Sequence, residues 1–138
     1  MNTDLFFPVL AQVLLTFALG FATGGMRFGA VAGGKVKPGD IVLGQRAWPT
    51  RVQQVGNAFQ NQLETPILFY AGIAFALILE SGSAILVMLA WTWFGLRLLH
   101  AGIHVTTNSL RPRFMAFAAS ALVLLSFWIV LTVEVMSR

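Results

Sequence analysis

The chain has 138 residues, of which 57% are hydrophobic and 10% charged, with a net charge of +4 and no cysteine. A soluble domain carries about a quarter charged residues, so a surface this poor in charge suits lipid, and the length suits a single domain. The lack of cysteine excludes disulfides, thiolate metal ligands and a cysteine nucleophile. The basic residues are scattered between apolar runs, which argues against the dense basic patch of a nucleic-acid binder.

A helix crossing a bilayer needs about 20 apolar residues. Backbone in lipid must satisfy its own hydrogen bonds, so such segments are helical. The first predicted helix covers about 5–26. Asp4 stands where a secretory signal carries Lys or Arg, and the apolar run is too long for a cleaved leader, so the segment reads as a mature helix. Gly20 with Gly24, and Gly25 with Gly29, have the spacing that lets helices approach closely, although Gly is also simply common in membrane helices.

Residues 29–44 are rich in Gly and hold Lys35, Lys37, Pro38 and Asp40, the pattern of an exposed loop. The second helix is expected over about 50–79, starting near Pro49 or Thr50 and entering the membrane from about 63. Pro66 should kink it and free the carbonyl of Gln62. A tight turn at 80–83 leads to a third helix over about 84–105, and a short link at 106–112 to a fourth over about 114–135. The whole chain, 1–138, reads as one all-α membrane domain, a four-helix transmembrane bundle.

Arg27, Lys35, Lys37, Arg46 and Arg51 flank the first connection, Arg111 and Arg113 the third, and none the second. The positive-inside rule then sets connections one and three in the cytoplasm and both termini on the other side. Arg138 is the one basic residue against this orientation.

Two polar stripes interrupt the apolar sequence. Gln53, Asn57, Gln60, Asn61 and Glu64 recur at steps of three and four on the second helix, and Arg97, His100, His104, Asn108 and Arg111 do so on the third. A charge at the centre of a membrane helix costs roughly 2.5–3.5 kcal/mol on insertion scales. Such residues are expected to face one another or a watery cavity, with Glu64 and Arg97 as the natural ion pair. Interhelical hydrogen-bond glue is the bland alternative. His100, His104 and Glu64 offer a weak metal-ligand set without a second H-x-x-x-H, and four helices with no inverted repeat make a poor transporter.

These residues resemble the MAPEG family, the membrane-associated proteins in eicosanoid and glutathione metabolism, and its bacterial branch most closely. The resemblance rests on 57-NAFQNQLETP-66, with Asn61-x-x-Glu64-Thr65, Arg97-x-x-His100 and Arg113 at the start of the last helix, and it covers essentially the whole chain. It implies a homotrimer in the bacterial inner membrane that takes glutathione as co-substrate between subunits and attacks a lipophilic electrophile or reduces a peroxide. Carried over by position, Arg113 would stabilise the thiolate, and Asn57, Gln60, Asn61, Glu64, Arg97, His100 and His104 would bind the tripeptide, with no metal. Partners would be further copies of the chain, membrane lipid and a lipophilic substrate. Family members carry Arg at the positions of Asn57 or Gln60, and Tyr at those of His104 and Phe117, so Arg46 or Arg51 is the candidate for a further carboxylate clamp. A non-catalytic membrane subunit or ligand-binding module that keeps the fold is the alternative implied by these departures.

Overall fold

The computed structural model describes residues 3–137, and Arg138 lies outside the described residues. Five helices follow a 3-10 turn at Thr3–Leu5: α1 (Phe6–Ala32), α2 (Thr50–Gln60), α3 (Pro66–Ile78), α4 (Ala84–Val105) and α5 (Leu110–Met136). The described residues form no strand. Three helices are long and apolar enough to cross a membrane: α1 with its leading turn, α4 and α5. The shorter, equally apolar α3 completes an all-α, four-helix membrane bundle.

The first helix runs six residues beyond the expected end. Gly24, Gly25 and Gly29 do not stop it, because nothing competes with its backbone bonds in an apolar setting. It ends where Gly34 takes a φ of +69°. There the Lys35 N–H donates to the Ala30 carbonyl at 2.9 Å and the Gly34 N–H to Val31 at 3.0 Å. This is a Schellman cap, which needs a residue free to enter the left-handed region. Of the spaced glycines, Gly20 makes a close approach: a Cβ there would lie 3.1 Å from the Phe59 ring, while Gly24, Gly25 and Gly29 face open space.

The expected continuous second helix over 50–79 is interrupted. Residues 61–65 leave the α-helical path between α2 and α3. Pro66 causes this, since it lacks an N–H and its ring clashes with a continuing helix, yet it sits well as the first residue of α3. At 13 residues, α3 is about 20 Å long and falls short of the ~30 Å hydrocarbon layer.

The main core joins α3, α4 and α5 through Phe69, Ile73, Leu86, Trp93, Leu124, Phe127 and Leu131. Phe69 and Trp93 stack with centroids 4.0 Å apart and planes at 14°. The Trp128 indole N–H donates to the Leu68 carbonyl at 3.2 Å. In lipid the packing itself holds helices together, because tails are as apolar as the side chains they would replace. Small residues at contacts are correspondingly sensitive. Gly72 is buried with the Phe127 ring 3.0 Å and the Trp128 ring 3.3 Å from where a Cβ would stand. Gly72→Ala should destabilise the bundle by about 1–3 kcal/mol, read as a lower thermal midpoint in detergent; an unchanged midpoint would contradict this packing.

Candidate functional site

The helix break is built by hydrogen bonds that replace the lost helical ones. The Gln62 N–H turns to the Phe59 carbonyl at 2.8 Å and the Leu63 N–H to Gln60 at 3.0 Å. This leaves the carbonyls of Ala58 and Asn61 without their usual donors four residues on. The Gln62 side chain takes the first, its Nε2 donating to Ala58 O at 3.1 Å. Arg97 takes the second, its Nη2 donating to Asn61 O at 2.7 Å. The sequence pointed to the carbonyl of Gln62, and the two that acquire side-chain donors are those one residue and four residues before it.

Arg97 is fully buried on α4. It makes no direct contact with Glu64, the expected ion-pair partner, which is exposed in the break and acts on the guanidinium only through space; Nε and Nη1 have no hydrogen-bond partner. An unpaired buried donor is costly, and the bond to Asn61 offsets part of that cost while fixing where the break begins. The guanidinium carbon also lies 6.0 Å from the Trp93 ring centre.

Beside the break is a polar cleft of about 270 Å³, lined by Arg46, Asn57, Gln60, Asn61, Glu64, His104 and Arg113. It is near the lower end of the ~300–1,000 Å³ usual for ligand sites. Asn57 and Gln60 stand on the last turns of α2, Asn61 and Glu64 on the break, His104 at the end of α4 and Arg113 in the first turn of α5. Arg113 donates through Nη1 to Asn108 Oδ1 in the preceding turn, which holds its guanidinium. Asn57 Oδ1 accepts from Gln53 Nε2 at 2.7 Å.

Six of the eight residues named from the sequence line this cleft; Arg97 and His100 do not. His100 is buried, its ring 5.7 Å from that of His104 and 6.0 Å from that of Phe117. Among the described residues no three His, Cys, Asp or Glu side chains gather as a metal site. The two candidate clamps separate cleanly. Arg46 reaches the cleft, whereas Arg51 donates to the Val105 carbonyl at the end of α4. Gln54 does similar work, its Nε2 donating to the His104 carbonyl at 2.8 Å. These two side chains pin α2 to the α4 terminus, where orphan carbonyls need donors.

The sequence reading missed Gln12 and Gln62, which are 0% and 1% exposed. Gln12 Nε2 on α1 donates to Gln62 Oε1 at 2.9 Å. For Gln12 the available signal was a lone amide inside an apolar segment, which demands a partner.

The sequence pattern of the MAPEG family matches residues 5–133, nearly the full length. Comparison with curated proteins and with solved structures gave no match. A match over almost every helix leads to one conclusion: the chain belongs to the MAPEG family.

Proposed function

We propose that the chain is a glutathione-dependent membrane transferase or peroxidase acting on lipophilic electrophiles, with Arg113 stabilising the thiolate. The observation that carries this reading is the charge pattern of the cleft: two guanidinium groups, Arg46 and Arg113, and one carboxylate, Glu64, among amides and an imidazole. Glutathione offers a thiol, two carboxylates and an ammonium. Glu64 suits the ammonium, Arg46 a carboxylate, and the amides of Asn57, Gln60 and Asn61 the peptide groups. Arg113 is then free to favour a thiolate. A thiol of pKa about 8.5 is mostly protonated at neutral pH, and a neighbouring cation shifts it toward the reactive anion.

In the transferase reaction the thiolate sulfur attacks an electrophilic carbon. A C–S bond forms, the leaving group departs with its electron pair, and the thiol proton passes to solvent. A lipophilic partner is favoured by an apolar hollow of about 430 Å³ between α1 and α2, lined by Thr16, Phe17, Gly20, Phe21, Phe59 and Leu63. Phe59 and Leu63 alternate along the chain with the cleft residues Gln60, Asn61 and Glu64, so the apolar and polar sites share the end of α2. A homotrimer would cover the open cleft with a neighbouring subunit. The gathering of Arg46, Arg51, Arg111 and Arg113 toward one end favours a cytoplasmic cleft, with both termini outside a bacterial inner membrane.

One observation favours the non-catalytic alternative. The aromatic ring near His100 is Phe117, without a hydroxyl, and Tyr70, the single tyrosine, belongs to α3.

Calorimetric titration of the detergent-solubilised chain should give saturable glutathione binding that weakens as salt rises, because exposed charges are screened. Arg46→Ala should weaken it and flatten the salt dependence; no heat at millimolar glutathione in folded protein would reject the ligand. With an aromatic halide activated toward substitution, Arg113→Ala should lower turnover about 10²–10³-fold, with partial recovery in Arg113→Lys. Glutathione binding without turnover would favour the non-catalytic alternative, and turnover indifferent to Arg113→Ala would remove its assigned role.

A further inference from the structure

We infer that the buried Gln12–Gln62 pair positions the ligand cleft: a tether from α1 that holds the helix break in the one shape that turns Glu64 into the site beside Asn61. The inference rests on the proposed glutathione reading for its ligand, and on the geometry of the break for the tether.

Gln62 occupies an unusual place. Its own backbone N–H has left the Ala58 carbonyl for Phe59, and its side chain has taken over the bond that the backbone gave up. The residue thus caps α2 from inside the break. Its amide can do this in one orientation, Nε2 toward Ala58 and Oε1 away, and Oε1 then needs a donor. Gln12 supplies it across 2.9 Å from a position 50 residues earlier. Thr16 backs Gln12 one turn on: its hydroxyl donates to the Gln12 carbonyl at 2.9 Å, and its oxygen stands 3.5 Å from Gln12 Nε2. With both glutamines sealed from solvent, no water competes for these bonds, and either amide alone would be a buried polar group without its partner.

The break is therefore held from two sides. Arg97 on α4 grips the Asn61 carbonyl, and Gln12 on α1 fixes the side chain that grips Ala58. Asn61 and Glu64, both cleft residues, sit on either side of Gln62 and Leu63. Without the Gln62 side chain, the Ala58 carbonyl is free to recapture the Gln62 N–H in ordinary helical geometry. Asn61, whose N–H still bonds the Asn57 carbonyl at 3.1 Å, would stay in place, but α2 would wind onward and rotate Glu64 away from Arg46 and Arg113. Gln12 and Gln62 touch no ligand in this account; they act through the break.

The test uses the full chain in lipid nanodiscs and the isosteric double variant Gln12→Met/Gln62→Met. Removing both partners of a buried pair is far milder than removing one, so this variant should keep a thermal midpoint near that of the wild type. Two readouts follow: glutathione affinity by calorimetry and amide hydrogen exchange over 61–65. The expected result is affinity weaker by about fivefold or more, together with altered exchange confined to 61–65 while α4 and α5 exchange as before. Wild-type affinity in the folded double variant would overturn the inference, as would lost affinity with unchanged exchange in the break. Should the double variant give no cooperative thermal transition, Gln12→Met alone decides on the same two readouts. A wild-type chain that binds no glutathione removes the ligand reading and leaves the tether to be decided by the exchange arm.

Discussion

The hydrogen bond from Arg97 to the Asn61 carbonyl is the contact on which the site depends. Pro66 ends one helix and begins another, and a helix end inside a membrane protein must find donors for its last carbonyls. An arginine fully buried on α4 and a glutamine within the break provide them. Costly groups are used against one another: a cation that lipid would reject meets a carbonyl that lipid cannot satisfy. The outcome is a short non-helical segment, rigidly held, that carries Asn61 and Glu64 to the same cleft as His104 and Arg113.

The rest of the bundle serves that placement. The stacked Phe69 and Trp93 lock α3 to α4 just beyond the break. On the other side, Arg51 and Gln54 fasten α2 to the carbonyls at the end of α4. The cleft takes Arg46 from the connection before α2 and Arg113 from the first turn of α5. Its polar lining and the apolar hollow beside Phe59 and Leu63 are neighbours at one helix end.

Much of this could be read from sequence. Composition and four apolar runs implied a membrane bundle, and the periodic stripes identified most of the cleft because expensive residues in lipid must converge on something. The first helix was expected to end near 26, ahead of a Gly-rich loop from 29: α1 continues through Gly29, and the left-handed Gly34 ends it. The role of Arg97 was misread because charge suggests an ion pair, whereas the freed Asn61 carbonyl exists only once the helix is broken. A periodic pattern does not show where a proline will turn a kink into an interruption. Gln12 escaped notice because its meaning lies in a partner 50 residues away. Arg46 could not be separated from Arg51 by sequence, since the connection before α2 sets which of them reaches the cleft.

The most direct measurement is an experimental map of the full chain in lipid with millimolar glutathione. The account predicts density for the tripeptide in the polar cleft, its ammonium end beside Glu64 and its sulfur beside the Arg113 guanidinium, with residues 61–65 still non-helical. A continuous helix through 61–65, or glutathione bound away from Glu64 and Arg113, would contradict it.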